Sequence, residues 1–173
     1  MGYEQLVSNL RYGMNEDAVA FFIGISRFDY AFKKVGGFFT RPEGNNPDID
    51  WQDNVPAAFP GFYEACADLH ERELFTAPPR QFKRVDGVAQ FTEPPEPLSD
   101  TKSLFWALWT LRKNLMHGTK GKLFARDHIL VRDANIVLER AYRYCTDSED
   151  GRLKQVAEVM AMMESDGTED GGA

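Results

Sequence analysis

Apolar side chains return every three or four positions in DAVAFFIGISRFDYAFKKVGGF, residues 17–38. Phe21, Ile25, Phe28, Phe32 and Val35 fall on one helical face, and Phe22, Ile23 and Tyr30 widen the stripe. The pattern predicts a helix central to the core, capped by Asp17 and stopped at Gly36-Gly37. The period is then lost in TRPEGNNPDIDWQDNVPAAFPG, which reads as a long loop with one short helical turn near Trp51. A second helix is predicted in PGFYEACADLHERELF, with Phe62, Ala65, Cys66, Leu69 and Leu74 facing inward and TAPPR ending it. QFKRVDGVAQFTEPPEP is the credible strand material, and Asp86-Gly87 between its alternating runs predicts a small hairpin. Helical period resumes in SDTKSLFWALWTLRKNLMHG. Ser99 or Asp100 is its cap, Leu104, Leu108, Leu111 and Leu115 its stripe, and Gly118 its left-handed stop. ARDHILVRDANIVLERAYRYC places Leu130, Ala134, Val137, Ala141 and Cys145 in phase, and GRLKQVAEVMAMME predicts a short terminal helix. The sum is one all-α helical bundle with a long insertion that holds a small β-hairpin.

Composition narrows the class. A chain of 173 residues supports one domain with a real core. Its 43% hydrophobic and 27% charged content is that of a soluble globular protein. No apolar run approaches the about 18 residues of a membrane span, and MGYEQLVSNLRYG lacks a secretory signal's basic start and apolar core. A cytoplasmic setting is the default, with Cys66 and Cys145 as buried thiols rather than a disulfide. Net charge −7 argues against broad electrostatic capture of nucleic acid. The acidity is concentrated, however, in the segment after Cys145. Between Arg112 and Arg126 the basic residues Arg112, Lys113, Lys120, Lys122 and Arg126 meet no acid at all.

The helix SLFWALWTLRKNLMHGTK resembles the signature helix of HEPN domains, which ends in an arginine, four to six intervening residues and a histidine. Arg112 and His117 fit with four intervening residues, and HGTK is similar to the HGGK of one bacterial branch. SRFDYAFKKVG resembles that branch's first core helix, APPRQFKRVDG its proline-rich entry to a hairpin, and RDHILVRDANIVLERAY its closing helix. The resemblance covers roughly residues 17–145. A single HEPN-like helical domain is expected over residues 1–163, and the composition of residues 164–173 predicts a disordered acidic tail.

The resemblance also implies metal-independent endoribonuclease activity, typical of toxins and phage-defence effectors, with no cofactor. Arg112 and His117 would be the catalytic pair, with Lys113, Asn114, Lys120 and Lys122 binding the RNA. The side chains suit the task. Imidazole, with a reference pKa of about 6.5, accepts the 2′-hydroxyl proton. A guanidinium offers a planar donor fork to the phosphorane oxygens as charge develops there. Five helical residues turn by about 500° and rise about 7.5 Å, so Arg112 and His117 do not share a face. Either the last turn is distorted, or two chains complete the site; the resemblance implies a homodimer with the motif helices meeting across a two-fold axis. Exposed Trp106 or Trp109 would bury in that interface. A cognate antitoxin or regulatory protein would be a further partner.

Plainer roles compete. His117 could donate to the last carbonyls of its helix, Arg112 could pair with Asp29 or Asp133, and Lys120 and Lys122 could be solvated loop charges. The family usually has a small polar residue just after the motif arginine, and this chain has Lys113. That departure and the acidic surface favour an alternative: a non-catalytic HEPN domain that binds RNA, a nucleotide or a protein partner. A purely helical interaction protein is the third reading. Elsewhere, His70 beside its acids reads as a surface pair, Asp48, Asp50 or Asp53 as a helix cap, and His128 as structural. Arg27 and Asp29 read as an internal ion pair. No Gly-rich phosphate loop, zinc spacing or nucleophile elbow occurs, so no metal site is assigned.

Overall fold

Helix α1, Glu16–Val35, forms where the first apolar stripe predicts. Ala18, Phe21, Ile25, Phe28, Ala31 and Phe32 are buried along it, while Ile23 is 57% exposed and lies outside the core face. Asp17 sits inside the first turn rather than at the cap. Gly36 and Gly37 end the helix at φ 78° and 81°, a backbone that favours glycine, and Gly36 N donates to Phe32 O at 3.0 Å. Gly24 allows a close approach: a Cβ there would meet Leu138 Cδ1 at 3.2 Å.

The computed structural model describes residues 16–40, 48–116 and 124–162. After α1 come the short helices α2 (Asn54–Ala57) and α3 (Phe62–Ala65), a 3-10 turn (Ala67–Leu69) and α4 (Glu73–Thr76). Strands β1 (Phe82–Val85) and β2 (Val88–Phe91) follow, then the long helices α5 (Thr101–Met116) and α6 (Ala125–Asp147), and finally α7 (Gly151–Ala161). Helices α1, α6 and α7 pack on one another as the main layer, with α5 and the short helices beside it. The fold is mostly helical with one small antiparallel sheet, as the sequence predicts. No helix among the described residues is long and apolar enough to cross a membrane.

One expectation needs correction and one region does more than expected. Among the described residues the loop carries a short helical turn near Trp51, α2, as predicted, and it also supplies core: Trp51, Val55 and Phe59 are buried. Trp51 packs edge-on against Phe32 at 5.5 Å and stacks on Trp109 at 5.1 Å; Phe59 meets Phe105 at 4.8 Å. The helix expected over residues 60–75 is a series of single turns, and Ala65 is exposed. Gly61, at φ 70°, precedes α3, and Arg72 is extended at the start of α4. The break at Arg72 has a tertiary cause. Asp133 of α6, 3% exposed, accepts from Arg72 Nη1 at 2.9 Å and from Leu74 N at 3.3 Å. One buried carboxylate therefore ties the guanidinium and α4's first turn to α6.

The remaining caps follow from side-chain chemistry. Asp100 caps α5 by accepting from Ser103 N at 2.6 Å, and Ser103 Oγ accepts in return from Ser99 N and Asp100 N. Asp50, rather than Asp48 or Asp53, closes the turn before α2, accepting from the Gln52 and Asp53 amides. Arg27 does not pair with Asp29. Its Nη2 donates to Val159 O at 2.9 Å and Met160 O at 3.0 Å, binding the last carbonyls of α7, whereas Asp29 pairs with Lys33. The hairpin turn is Asp86 at φ 50° and Gly87 at φ 83°, both left-handed as a two-residue hairpin turn demands. Its register sets Phe82 opposite Phe91. Cys66 and Cys145 are buried free thiols, and burial pushes the Cys145 thiol up to about 12. Leu130, Ala134, Val137 and Ala141 are buried along α6 as predicted. The tail over 164–173 lies outside the described residues.

Asp133→Ala leaves the Leu74 amide without its acceptor and returns the half-exposed Arg72 guanidinium to water, and should cost about 1–3 kcal/mol in urea unfolding; Asp133→Asn should cost less. At Asp100, the hydrogen bonds from the Ser103 amide and hydroxyl hold the carboxyl below its ordinary value of 3.8. A carboxyl with a depressed folded-state pKa contributes stability above its unfolded value and loses it as pH falls through the folded one. Asp100→Ala should therefore cost about 1 kcal/mol at neutral pH, and the deficit should shrink below about pH 4. Unfolding curves at several pH values check this.

Candidate functional site

Helix α5 divides the motif between two of its faces. Arg112 follows Trp109 on the face that meets the segment after α1. Its guanidinium lies 4.3 Å from the Trp109 ring centroid, and Trp109 is itself stacked on buried Trp51 with 10° between the planes. The three flat groups form one pile from core to surface. Arg112 Nε is buried with no hydrogen-bond partner among the described residues. Neither acid expected to neutralise it does so: Asp29 holds Lys33, and Asp133 holds Arg72. Trp109 and Trp106 are both half-buried within the chain, so neither is a free aromatic face.

Lys113 and Asn114 take the neighbouring face with Trp106 and Thr110. The Lys113 ammonium sits 4.8 Å from the Trp106 ring centroid. Burial pushes its pKa below the usual lysine value, and the charge of Lys83 pushes it the same way. Asn114 Nδ2 donates to Arg80 O at 2.8 Å, fastening the entry of the hairpin to α5. Arg80 Nε in turn donates to Thr92 O at 2.6 Å, closing the base of the hairpin.

Two hollows flank this junction. The larger, about 200 Å³, lies between α5, the start of α6 and the hairpin base, and includes Arg80, Phe91, Leu111, Asn114, Arg126 and Asp127. Arg126 is already bound to Glu73 and to the Ala77 and Pro78 carbonyls, and Asp127 accepts from Phe124 N at 2.9 Å. The smaller, about 100 Å³, is bounded by Gln81, Phe82, Lys83, Thr110, Lys113 and Asn114. Arg112 lines neither.

The structure thus brings Lys113 and Asn114 together and sets Arg112 apart from them. His117, Lys120 and Lys122 lie outside the described residues, as does the proposed stop Gly118. Sequence reasoning missed Lys83, Arg80 and Thr110. The hairpin register, with Lys83 opposite Gln90, held a signal for Lys83; Thr110 offered none, since a lone threonine within an apolar helix is unremarked. His70 is not a surface pair with its acids. It stacks on Tyr63 at 4.2 Å, with Nε2 3.1 Å from Tyr63 O. His128 lies in the first turns of α6 with Nδ1 buried and unpartnered among the described residues. Asp53 pairs with Lys102 at 2.5 Å. Among the described residues no three His, Cys, Asp or Glu side chains cluster as metal ligands.

Asn114→Ala should release the hairpin while leaving the core intact. Losing a bond worth about 1 kcal/mol should speed amide exchange in residues 82–91 roughly fivefold, with the global unfolding midpoint little changed; hydrogen–deuterium exchange reads both. The chain matches no family model, no curated protein and no solved structure.

Proposed function

We propose that the protein is a metal-independent endoribonuclease of HEPN type, acting in the cytoplasm as a toxin or phage-defence effector. The observation that carries the reading is the state of Arg112. Arg27, Arg72, Arg126 and Arg140 are each bound to protein oxygens. Arg112 alone of these long-helix and loop arginines is propped on an indole with no acid against it among the described residues. A guanidinium stiffened by stacking and left without a counter-charge suits an anion that arrives with a ligand. RNA supplies such an anion together with its own nucleophile. His117 takes the 2′-hydroxyl proton, the 2′-oxygen bonds to phosphorus, and the bond to the 5′-oxygen breaks. That oxygen leaves with a proton taken from water and His117 returns its own to solvent, giving a 2′,3′-cyclic phosphate and a 5′-hydroxyl. Arg112 stabilises the charge on the phosphorane oxygens. A homodimer would let the motif of one chain complete that of the other.

The second reading, a non-catalytic HEPN domain that binds RNA, a nucleotide or a protein partner, is favoured by one specific observation. Asn114 spends an amide hydrogen on Arg80 O, and Lys113 faces the hairpin rather than Arg112.

Labelled RNA incubated in EDTA with wild type, Arg112→Ala and His117→Ala separates the two. Cleavage should fall about 10²-fold or more in each variant, and the cut strand should carry a cyclic phosphate. Salt-sensitive binding without cleavage by the wild type would favour the second reading. Equal cleavage by all three preparations would defeat the enzyme reading.

A further inference from the structure

The small hollow between the hairpin and α5 is chemically one-sided. Thr110 is 2% exposed, and its Oγ1 has no hydrogen-bond partner among the described residues. A threonine inside a helix ordinarily satisfies its hydroxyl on the carbonyl four residues back, and a buried hydroxyl without a partner costs stability. Lys83 and Lys113 line the same hollow, and neither has an ion-pair partner among the described residues; no carboxylate lines it. Lys113 is held over Trp106 and is disfavoured as a cation by burial and by Lys83. The free protein therefore gathers two positive charges and an idle hydroxyl around one space.

An anion would answer all three groups at once, accepting from both ammoniums and from the hydroxyl. The hollow, about 100 Å³, has room for one tetrahedral oxyanion. Because the hollow is more enclosed than open, a group that ends in it fits better than a strand that must enter and leave. A phosphate monoester is such a group, and its charge of about −1.5 to −2 at neutral pH matches two lysines better than the single charge of a diester does.

We propose that this pocket binds a terminal phosphate monoester, with Lys83, Lys113 and the Thr110 hydroxyl as donors. The monoester is carried either by an RNA end or by a free mononucleotide. The inference stands without the ribonuclease reading, since binding at Lys83 and Thr110 needs no cleavage. Where both hold, the pocket would distinguish a 5′-phosphorylated end from the new ends that cleavage creates, a cyclic phosphate and a 5′-hydroxyl.

The test uses the full-length His117→Ala chain, so that any cleavage activity is separated from binding. Single-stranded RNA labelled at its 3′ end, with either a 5′-phosphate or a 5′-hydroxyl, is titrated by fluorescence anisotropy. Adenosine monophosphate and inorganic phosphate are titrated by amide NMR. The 5′-phosphorylated strand should bind about tenfold tighter than the hydroxyl strand, or adenosine monophosphate should shift the Lys83, Thr110 and Lys113 amides. A preference that adenosine monophosphate cannot displace identifies RNA ends as the source; displacement at equal affinity identifies the mononucleotide. Lys83→Met and Thr110→Val should each remove most of the effect. Thr110→Val should also melt no lower than its parent, because it deletes an unsatisfied hydroxyl while keeping the shape. Lys83 is exposed on its strand, so Lys83→Met keeps the test open if the threonine variant misfolds. The proposal falls if neither strand nor small phosphate perturbs these amides, or if both variants bind as the parent does.

Discussion

The stacking of Trp51 on Trp109 holds the insertion to the helical frame. Trp51 is 2% exposed and touches rings from two long helices, Phe32 on α1 and Phe105 and Trp109 on α5. Burying an aromatic side chain contributes several kcal/mol, and oriented ring pairs add about 0.5–1.5 kcal/mol each. This plug fixes the start of the segment between α1 and α5 against the bundle. Phe59 repeats the device further along, with Phe62, Phe105 and Tyr144 around it. The backbone supports both by pairing Phe39 with Ile49 and by the Asp50 N to Phe38 O bond at 2.7 Å.

That packing decides what α5 can offer to a ligand. One of its faces is filled by the Trp51 layer, and the neighbouring face by the hairpin that Asn114 holds down. Consecutive cations, Arg112 and Lys113, are therefore sent in different directions, each resting on a tryptophan three or seven positions earlier. A helix carrying the same residues without these two neighbours would present them as one mixed patch. The division between a guanidinium on an indole pile and an ammonium in a pocket is a consequence of core packing, not of the motif itself.

The long helices were legible because each carries its own period over several turns. Phe21 to Phe32 and Leu130 to Cys145 repeat often enough for a wrong phase to be visible. The hairpin was legible because Asp-Gly is close to a sufficient signal for a two-residue turn. What was hidden depends on partners distant in sequence. Residues 60–75 carry a helical pattern, but Asp133, about sixty positions away, captures Arg72 and Leu74 and breaks it into turns. Trp51 sits among Asp, Asn and Pro, so composition spoke for a loop while a single large ring supplied the core contact. The same limit applied to the site. Arg112 stood out by its spacing from His117, whereas Thr110 matters because of an absent hydrogen bond, which no pattern of residues displays.

The electrostatic layout gives the last step. A chain of net charge −7 has acids to spare, and it uses them against Lys33, Arg72, Lys102, Arg126 and Arg140. Apart from Arg72 on the buried Asp133, these pairs are exposed and contribute little stability individually, so their value lies in where charge is cancelled and where it is left. Lys83 and Lys113 receive no such partner among the described residues, although they line one hollow, and Arg112, on a different face of its helix, receives none either. Burial, and after it the charge of Lys83, lower the Lys113 pKa, so these two like charges stand uncomfortably close. If this surface served only to keep the chain folded, the surplus acids would relieve it at no cost to the core. Leaving it uncompensated is sensible when the counter-charge comes from outside. A short-range cluster inside an acidic envelope would also select for ligands that can bring a phosphate close, because beyond about 10 Å at moderate salt its field is screened.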